Sequence, residues 1–398
     1  MEVMDKIVRL SDEGEAHTIE VRRAIHMNPE LAFHEFETSR LVRSELEAMG
    51  IPYEVSPVET GTIGMIDSGK PGKMLLLRAD MDALPIQEET GLPYASKVPN
   101  VMHACGHDVH TANLLAVARV LNNMKEDWCG RVKLVFQPAE ERGGGGREMI
   151  KHGLMDELPD ACMAFHTHTC EQGIITIGKG STSAFSDGCQ VTIHGKSTHS
   201  SKPQTGVDAV QIAAAVITAL YQITAKNISP MEASTLNVSM LHGGTASNIV
   251  SDKVEFRVMM RNATKEARKE MFESVERIVK GIAQTFGGSA ETIFQEGYAA
   301  VINDEEMVDF VCDLINKNKD SLYQGLPSVP EKHLRTGNTL TLGAEDFGFY
   351  AQKAPSCFMQ VGTGAFAPGH NNKFQVDESY IKLATRVMAM AAVEYLNK

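Results

Sequence analysis

The chain has 398 residues, more than one hydrophobic core ordinarily supports, so two domains are expected. Its composition, 43% hydrophobic and 22% charged, is that of a globular protein. A net charge of -13 with no basic block argues against nucleic acid and anionic membranes as partners and favours small-molecule chemistry.

In chain order, the N-terminal MEVMDKIVRLSDEGE is charged throughout and lacks the apolar core of a secretory signal, which points to the cytoplasm. Helical periodicity follows over Met4 to Ile25 and Glu35 to Met49, broken at Pro29. MLLLRAD (Met74 to Asp80) and VKLVFQ (Val132 to Gln137) read as buried parallel strands that run directly into polar residues. Between them His107 to Met124 has helical spacing. This strand, helix, strand alternation predicts an α/β layer with helices on both faces of a mostly parallel sheet.

Beyond Ser183 the pattern changes. CQVTIHG, STLNVSML and VEFRVMMR alternate with period two, and Val207 to Ile223 and Ala267 to Phe286 are helical, which describes an α+β sandwich. After Tyr298 the α/β pattern resumes and ends in a helix from about Ser379 to Leu396. The expected organisation is therefore a first domain of residues 1–183 and 299–398, interrupted by a second of residues 184–298. The apolar run Ala209 to Ile223 is shorter than the roughly 20 residues of a membrane span. Seven scattered cysteines with no CxxC pair read as reduced thiols.

Four clusters carry candidate chemistry. MHACGHDVH places Cys105 and His107 two apart, so that in an extended segment they share a face; thiolate and imidazole suit zinc, cobalt, nickel or manganese. The same nine residues also fit a loop with incidental histidines. FQPAEERGGGG sets Glu140 and Glu141 just past a strand end, where one carboxylate can bind metal while the other handles protons, or where both are merely solvated. MAFHTHT puts His166 and His168 on one strand face, and PGHNNKF carries His370 in a loop. No single cluster decides the matter.

Taken together, RRAIHMNPELAFHEFET, RADMDALP, MHACGHDVH, QPAEE, HGGTASNIV, GAEDF and GHNNKF resemble the M20 metallopeptidase clan, specifically its amidohydrolases of aminoacylase, hippurate hydrolase and auxin-conjugate hydrolase types. The similarity runs from about Arg22 to the C-terminal helix. It implies a zinc-peptidase-like catalytic domain with an inserted lid and dimerisation domain, in a homodimer or higher homo-oligomer. It also implies two divalent ions per subunit (Zn, Mn, Co or Ni) held by Cys105, His107, Glu141, His166 and His370. Glu140 would be the general base and then general acid. Asp80, Asp82 and Asp108 would be carboxylates that orient the ligands. His199 of GKSTHSSKP matches a histidine that reaches into the partner subunit's site to stabilise an oxyanion, and Asn248 and Arg261 match residues that bind polar groups of the substrate. Glu345 and Asp346 of GAEDF receive no role.

The sequence departs from the family at FHTHTC, where LHVWP is usual, so His168 stands ready either to line the substrate pocket or to compete with His166 for metal. SNIVSD likewise replaces NVIPD beside Asn248. The implied substrate is a small N-acyl amino acid or related conjugate. A dipeptidase or carboxypeptidase on the same two-metal site is the nearest alternative. A binding protein without catalysis and a hydrolase using Cys105 as nucleophile are the more distant ones.

Overall fold

In a computed structural model, residues 2–398 are described apart from Asn338 and Ala365. The chain divides into two compact units, residues 1–180 with 301–339 and 346–398, and residues 181–300 with 340–345.

The first unit is built on an eight-stranded mixed sheet. Its spatial order is Tyr53–Val55, Thr62–Asp67, Arg131–Gln137, Met74–Asp80, Ala161–His168, Ser356–Gly362, Ile175–Ile177 and Leu334–Thr336. The four central strands, from Arg131–Gln137 to Ser356–Gly362, run parallel. Their apolar runs are continuous because both faces are covered. Leu75, Leu77, Leu134 and Phe136 pack among residues of helices Glu2–Met27, His107–Asn123 and Ile381–Leu396, while Leu76, Val135 and Ala164 join Met149, Phe347 and Tyr350 in a separate cluster. Each such buried aliphatic side chain contributes about 1.5–3 kcal/mol. Register sets Asp80 opposite Gln137 and His166 opposite Gln360, so the polar ends of all four strands emerge at one edge of the sheet.

The second unit is a four-stranded antiparallel sheet in the order Ser234–Gly243, Lys253–Asn262, Phe185–His194, Ser289–Tyr298. Val254, Phe256, Val258 and Met260 alternate inward along one strand and pack with Ile212 and Val216 of helix Ala209–Leu220 and Met271, Val275 and Val279 of helix Lys265–Thr285. Asp208 caps the first helix through Val210 N (2.9 Å) and Thr264 caps the second through Ala267 N (3.2 Å). The strand Ser289–Tyr298 escaped the sequence reading because it alternates between exposed and half-buried positions, with little apolar content to mark it. The segment Ala209–Lys226 is apolar enough and, at 18 residues, long enough to cross a membrane by composition alone, but its helix breaks between Leu220 and Ile223.

Candidate metal centre

Two of the four clusters, together with Asp80 of RADMDALP, stand where central strands end. Asp80 closes Met74–Asp80, Glu140 and Glu141 follow Arg131–Gln137, and His166 and His168 end Ala161–His168. MHACGHDVH turns sharply into helix His107–Asn123 at Gly106, which has φ +93°. A Cβ there would lie 2.3 Å from the Thr167 hydroxyl, so only glycine lets this loop pass the His166 strand. In the GGGG run Gly145 lies so close to the Pro138 carbonyl that a Cβ would meet it at 1.7 Å, which folds the run back under the glutamates. His370 arrives from the remote PGHNNKF loop, tied by its backbone N–H to the Ala104 carbonyl at 2.7 Å.

These elements bring the candidate ligands together. Cys105, His107 and His166 form one set of donor atoms lying within 4.8 Å of one another, and Cys105, Glu141 and His370 form another. A third joins His107 to Glu140 and Glu141. Cys105 Sγ is common to the first two and lies 3.5 Å from His166 Nε2, while His370 Nε2 lies 3.1 Å from Glu141 Oε1. His166 donates Nδ1–H to the Thr167 carbonyl at 2.6 Å, which leaves Nε2 facing Cys105. Burial opposes ionisation of Cys105, yet His166 and His107 outweigh it and bring the thiol down to about 6. Hydrogen bonds to Cys105 and Glu141 push His370 up to about 10.

The donor set fits a pair of divalent cations. It offers one sulfur, three imidazoles and adjacent carboxylates, a mixture suited to zinc and its neighbours. His107 is fully buried and, among the described residues, its Nε2 finds no hydrogen-bond partner, a costly arrangement for a polar group unless another partner is bound. His107 Nδ1 lies 3.3 Å from Asp82 Oδ1, the geometry by which a carboxylate orients a ligating imidazole.

Of the remaining predicted residues, Asp80 accepts from His110 Nδ1 at 2.5 Å and from Arg78 at 2.6 Å. His110 Nε2 in turn accepts from the Thr167 N–H at 2.9 Å, so both its nitrogens are committed. Burial holds it neutral, with its pKa down to about 3. Asp108, expected to orient a ligand, instead faces away from them: Arg22 Nε (2.7 Å) and His26 Nδ1 (2.8 Å) converge on it. Although burial raises it, Arg22 and His26 hold its carboxyl far below the usual range. His168 is half-buried and enters none of the ligand clusters among the described residues.

Within the second unit, His199 and Asn248 are neighbours. The strand Thr198–His199 pairs with Ile249–Val250, and Ser200 N–H donates to the Asn248 carbonyl at 2.9 Å. His199 is exposed, and its Nδ1 accepts from Ser201 N–H at 3.1 Å, which assigns the proton to Nε2. Arg261 lies on Lys253–Asn262 and donates to the Leu342 carbonyl at 3.3 Å.

A buried network beneath the centre was missed from sequence. Arg78 donates Nε–H to Gln137 Oε1 (3.0 Å) and an NH2 hydrogen to Asp346 Oδ1 (2.5 Å), and Asp346 Oδ2 accepts from Gln137 Nε2 (2.7 Å) and Gly146 N–H (2.9 Å). The backbone N–H of Asp346 also points at Glu140 Oε1, at 3.4 Å. Asp346 of GAEDF thus anchors the strand end and the glycine run. The available signal was Arg78 itself, a charge inside an otherwise apolar strand that must find carboxylates.

Residues 76–394 match the family described as Peptidase family M20/M25/M40. The chain belongs to this family. It is therefore a metal-dependent hydrolase of amide or peptide bonds. Among M20 relatives it is similar to thermostable carboxypeptidase 1 of Saccharolobus solfataricus, at 36% identity over 100% of both chains. It is also similar to the N-acyl-L-amino acid amidohydrolase of Geobacillus stearothermophilus, at 38% identity over 76% of this chain and 82% of that protein. The crystal structure of the YXEP protein of Bacillus subtilis, described as a dinuclear metal-binding peptidase of the M20 family, superposes with a TM-score of 0.83. That match has 30% identity and covers 97% of this chain and 99% of that one.

Proposed function

We propose that this M20 chain hydrolyses the amide bond of N-acyl amino acids or related conjugates, releasing a carboxylate and a free amino acid. The observation that carries this reading is the convergence of Cys105, His107, Glu141, His166 and His370 in overlapping sets beside a second carboxylate, Glu140. Those five residues would hold two divalent ions, of zinc, manganese, cobalt or nickel type. When bound, such ions supply Lewis acidity, lowering the pKa of water and polarising the amide carbonyl.

Glu140 is the proton carrier. It takes a proton from the attacking water and delivers it to the nitrogen of the departing amine. Its carboxylate is buried beside the ligand cluster, and the Asp346 N–H at 3.4 Å and Asp82 at its own backbone amide fix its position. His199, with its proton on Nε2, is suited to donate to the oxyanion that forms as water adds to the carbonyl. Asn248, Arg261 and His168 would bind the substrate's polar groups, and Arg261 can grip a carboxylate.

We further infer a homodimer or higher homo-oligomer, in which His199 serves a partner's site. Support comes from the edge strand Ser234–Gly243, whose Met240 and Leu241 are about half exposed, and from the exposed Val210 and Tyr221 nearby in sequence on helix Ala209–Leu220 and at its end. Seven unpaired cysteines support a reducing, cytoplasmic compartment.

Similarity to a carboxypeptidase over the full length of both chains favours a second reading, removal of a C-terminal residue from a peptide on the same site. Acetyl, benzoyl and indoleacetyl amino acids assayed beside dipeptides and blocked peptides separate the two. Turnover of the acyl amino acids that is lost on exhaustive chelation and restored by metal supports the amidohydrolase. Turnover of peptides alone overturns it, and turnover that survives chelation returns Cys105 to candidacy as a nucleophile.

A further inference from the structure

We propose that Glu35 is a positioning residue for the reaction: its buried carboxyl locks Ala139 in the left-handed conformation that aims Glu140 and Glu141 into the metal centre. This rests on the role given to Glu140 above.

Glu35 stands at the N-cap of helix Phe36–Ala48, where a carboxylate ordinarily accepts from the first turn of its own helix. It does not do so. Its side chain is fully buried and turned the other way, and Oε1 accepts from Phe33 N–H at 3.0 Å and, across 104 residues of sequence, from Ala139 N–H at 2.9 Å. The local cap is given up for a contact with the glutamate loop.

Both donors lie in backbone that side chains avoid. Phe33 has φ +62° and Ala139 φ +56°; His370, a candidate ligand, has φ +62°. Of the four non-glycine residues with positive φ among those described, three thus adjoin this centre, and Asn100 is the fourth. Such conformations persist where surrounding bonds over-determine them. Ala139 is held at both ends: Glu35 takes its N–H, and its carbonyl accepts from Gly145 N–H at 3.0 Å. The next two amides, of Glu140 and Glu141, are both taken by Asp82. Three consecutive N–H groups therefore rest on two buried carboxyl groups, and the path of the chain through the glutamate pair is fixed.

Glu35 Oε1 can accept these bonds whether the carboxyl is protonated or ionised. Burial and the nearby Asp82 charge push it up to about 7, so near neutral pH it exists in both forms, and either form keeps these bonds. A glutamine should therefore serve almost as well, which separates positioning from acid–base or ligand chemistry by Glu35 itself.

The test compares wild type, Glu35→Gln, Glu35→Leu and the double variant Glu35→Leu/Ala139→Gly for kcat, KM, metal per chain and melting temperature, on the acyl amino acid that wild type turns over best. Glu35→Gln is expected to keep kcat within about threefold. Glu35→Leu should lower kcat by about 10–100-fold, the range for lost outer-shell partners, with KM unchanged and any loss of metal too small to account for the fall. Glycine adopts the left-handed conformation without penalty, so Ala139→Gly should recover at least about fivefold of that loss. If Glu35→Leu does not fold, Glu35→Asp withdraws the acceptor by one methylene while keeping the acid, and is expected to show the same fall in kcat. Wild-type kcat in Glu35→Leu or Glu35→Asp would overturn the proposal. So would inactivity of Glu35→Gln equal to that of the leucine variant, or a fall in kcat that only tracks lost metal. Failure of wild type to hydrolyse any member of the panel in a metal-dependent way would instead remove the functional reading, and this inference with it.

Discussion

Asp82 grips Glu140 through the backbone: its Oδ1 accepts the Glu140 N–H at 2.9 Å, and its Oδ2 accepts that of Glu141 at 3.0 Å. The same carboxylate lies 3.3 Å from His107 Nδ1. One buried side chain therefore ties the proposed proton carrier to two proposed ligands, and the glutamate pair cannot move independently of His107. Asp82→Ala is expected to leave two buried N–H groups without partners and to lower kcat/KM by about 10–100-fold, with weakened metal binding. Steady-state kinetics alongside metal analysis checks this. Unchanged values of both would show that the loop holds itself.

His166 and His168 share a strand face, but only His166 points a nitrogen at Cys105. His166→Ala is expected to reduce bound metal below two ions per chain and to abolish turnover. His168→Ala should keep both ions and change KM or the preferred acyl group instead. Metal analysis of the two purified variants decides; loss of metal from His168→Ala would exchange their roles.

Glu35 makes stability depend on pH in a direction opposite to that of most carboxylates. Its folded value, about 7, lies above the ordinary 4.5, so across that window the folded chain holds a proton that the unfolded chain has released. The stability it contributes is full below about 4.5 and is lost as pH rises through about 7. The loss is of order 3 kcal/mol at most, from 1.36 kcal/mol per unit. Glu35→Gln removes this slope. Urea melts of both proteins at pH 5 and pH 8, in the same metal state, should show the variant gaining on wild type at the higher pH. Parallel behaviour would mean that Glu35 titrates normally.

Much of this was legible in the sequence for identifiable reasons. Strands buried on both faces, such as Met74–Asp80, leave continuous apolar runs, and the alternation along Lys253–Asn262 marks a sheet covered on one side. The ligand candidates stood out because Cys105, His107 and the Glu140–Glu141 pair sit at strand and helix ends. What could not be read were contacts made across long separations. The family resemblance gave Asp108 a share in orienting the ligands, but helix geometry turns it towards Arg22 and His26 on another helix. His110 shares the MHACGHDVH stretch with His107, and the bonds that occupy both of its nitrogens, to Asp80 and to the Thr167 N–H, come from strands elsewhere in the chain. Asp346 had no role in sequence because its partners, Arg78 and Gln137, lie more than 200 residues away.

The central claim is that Glu140 carries the proton while its neighbour Glu141 and the other clustered residues hold metal. Glu140→Gln preserves size and hydrogen bonding but removes the base. Turnover of the best acyl amino acid, measured together with metal content, is the most direct test. The account predicts two ions per chain, a KM close to that of wild type, and kcat reduced by about 10²–10⁴-fold. Wild-type turnover by a variant that retains its metal would contradict it.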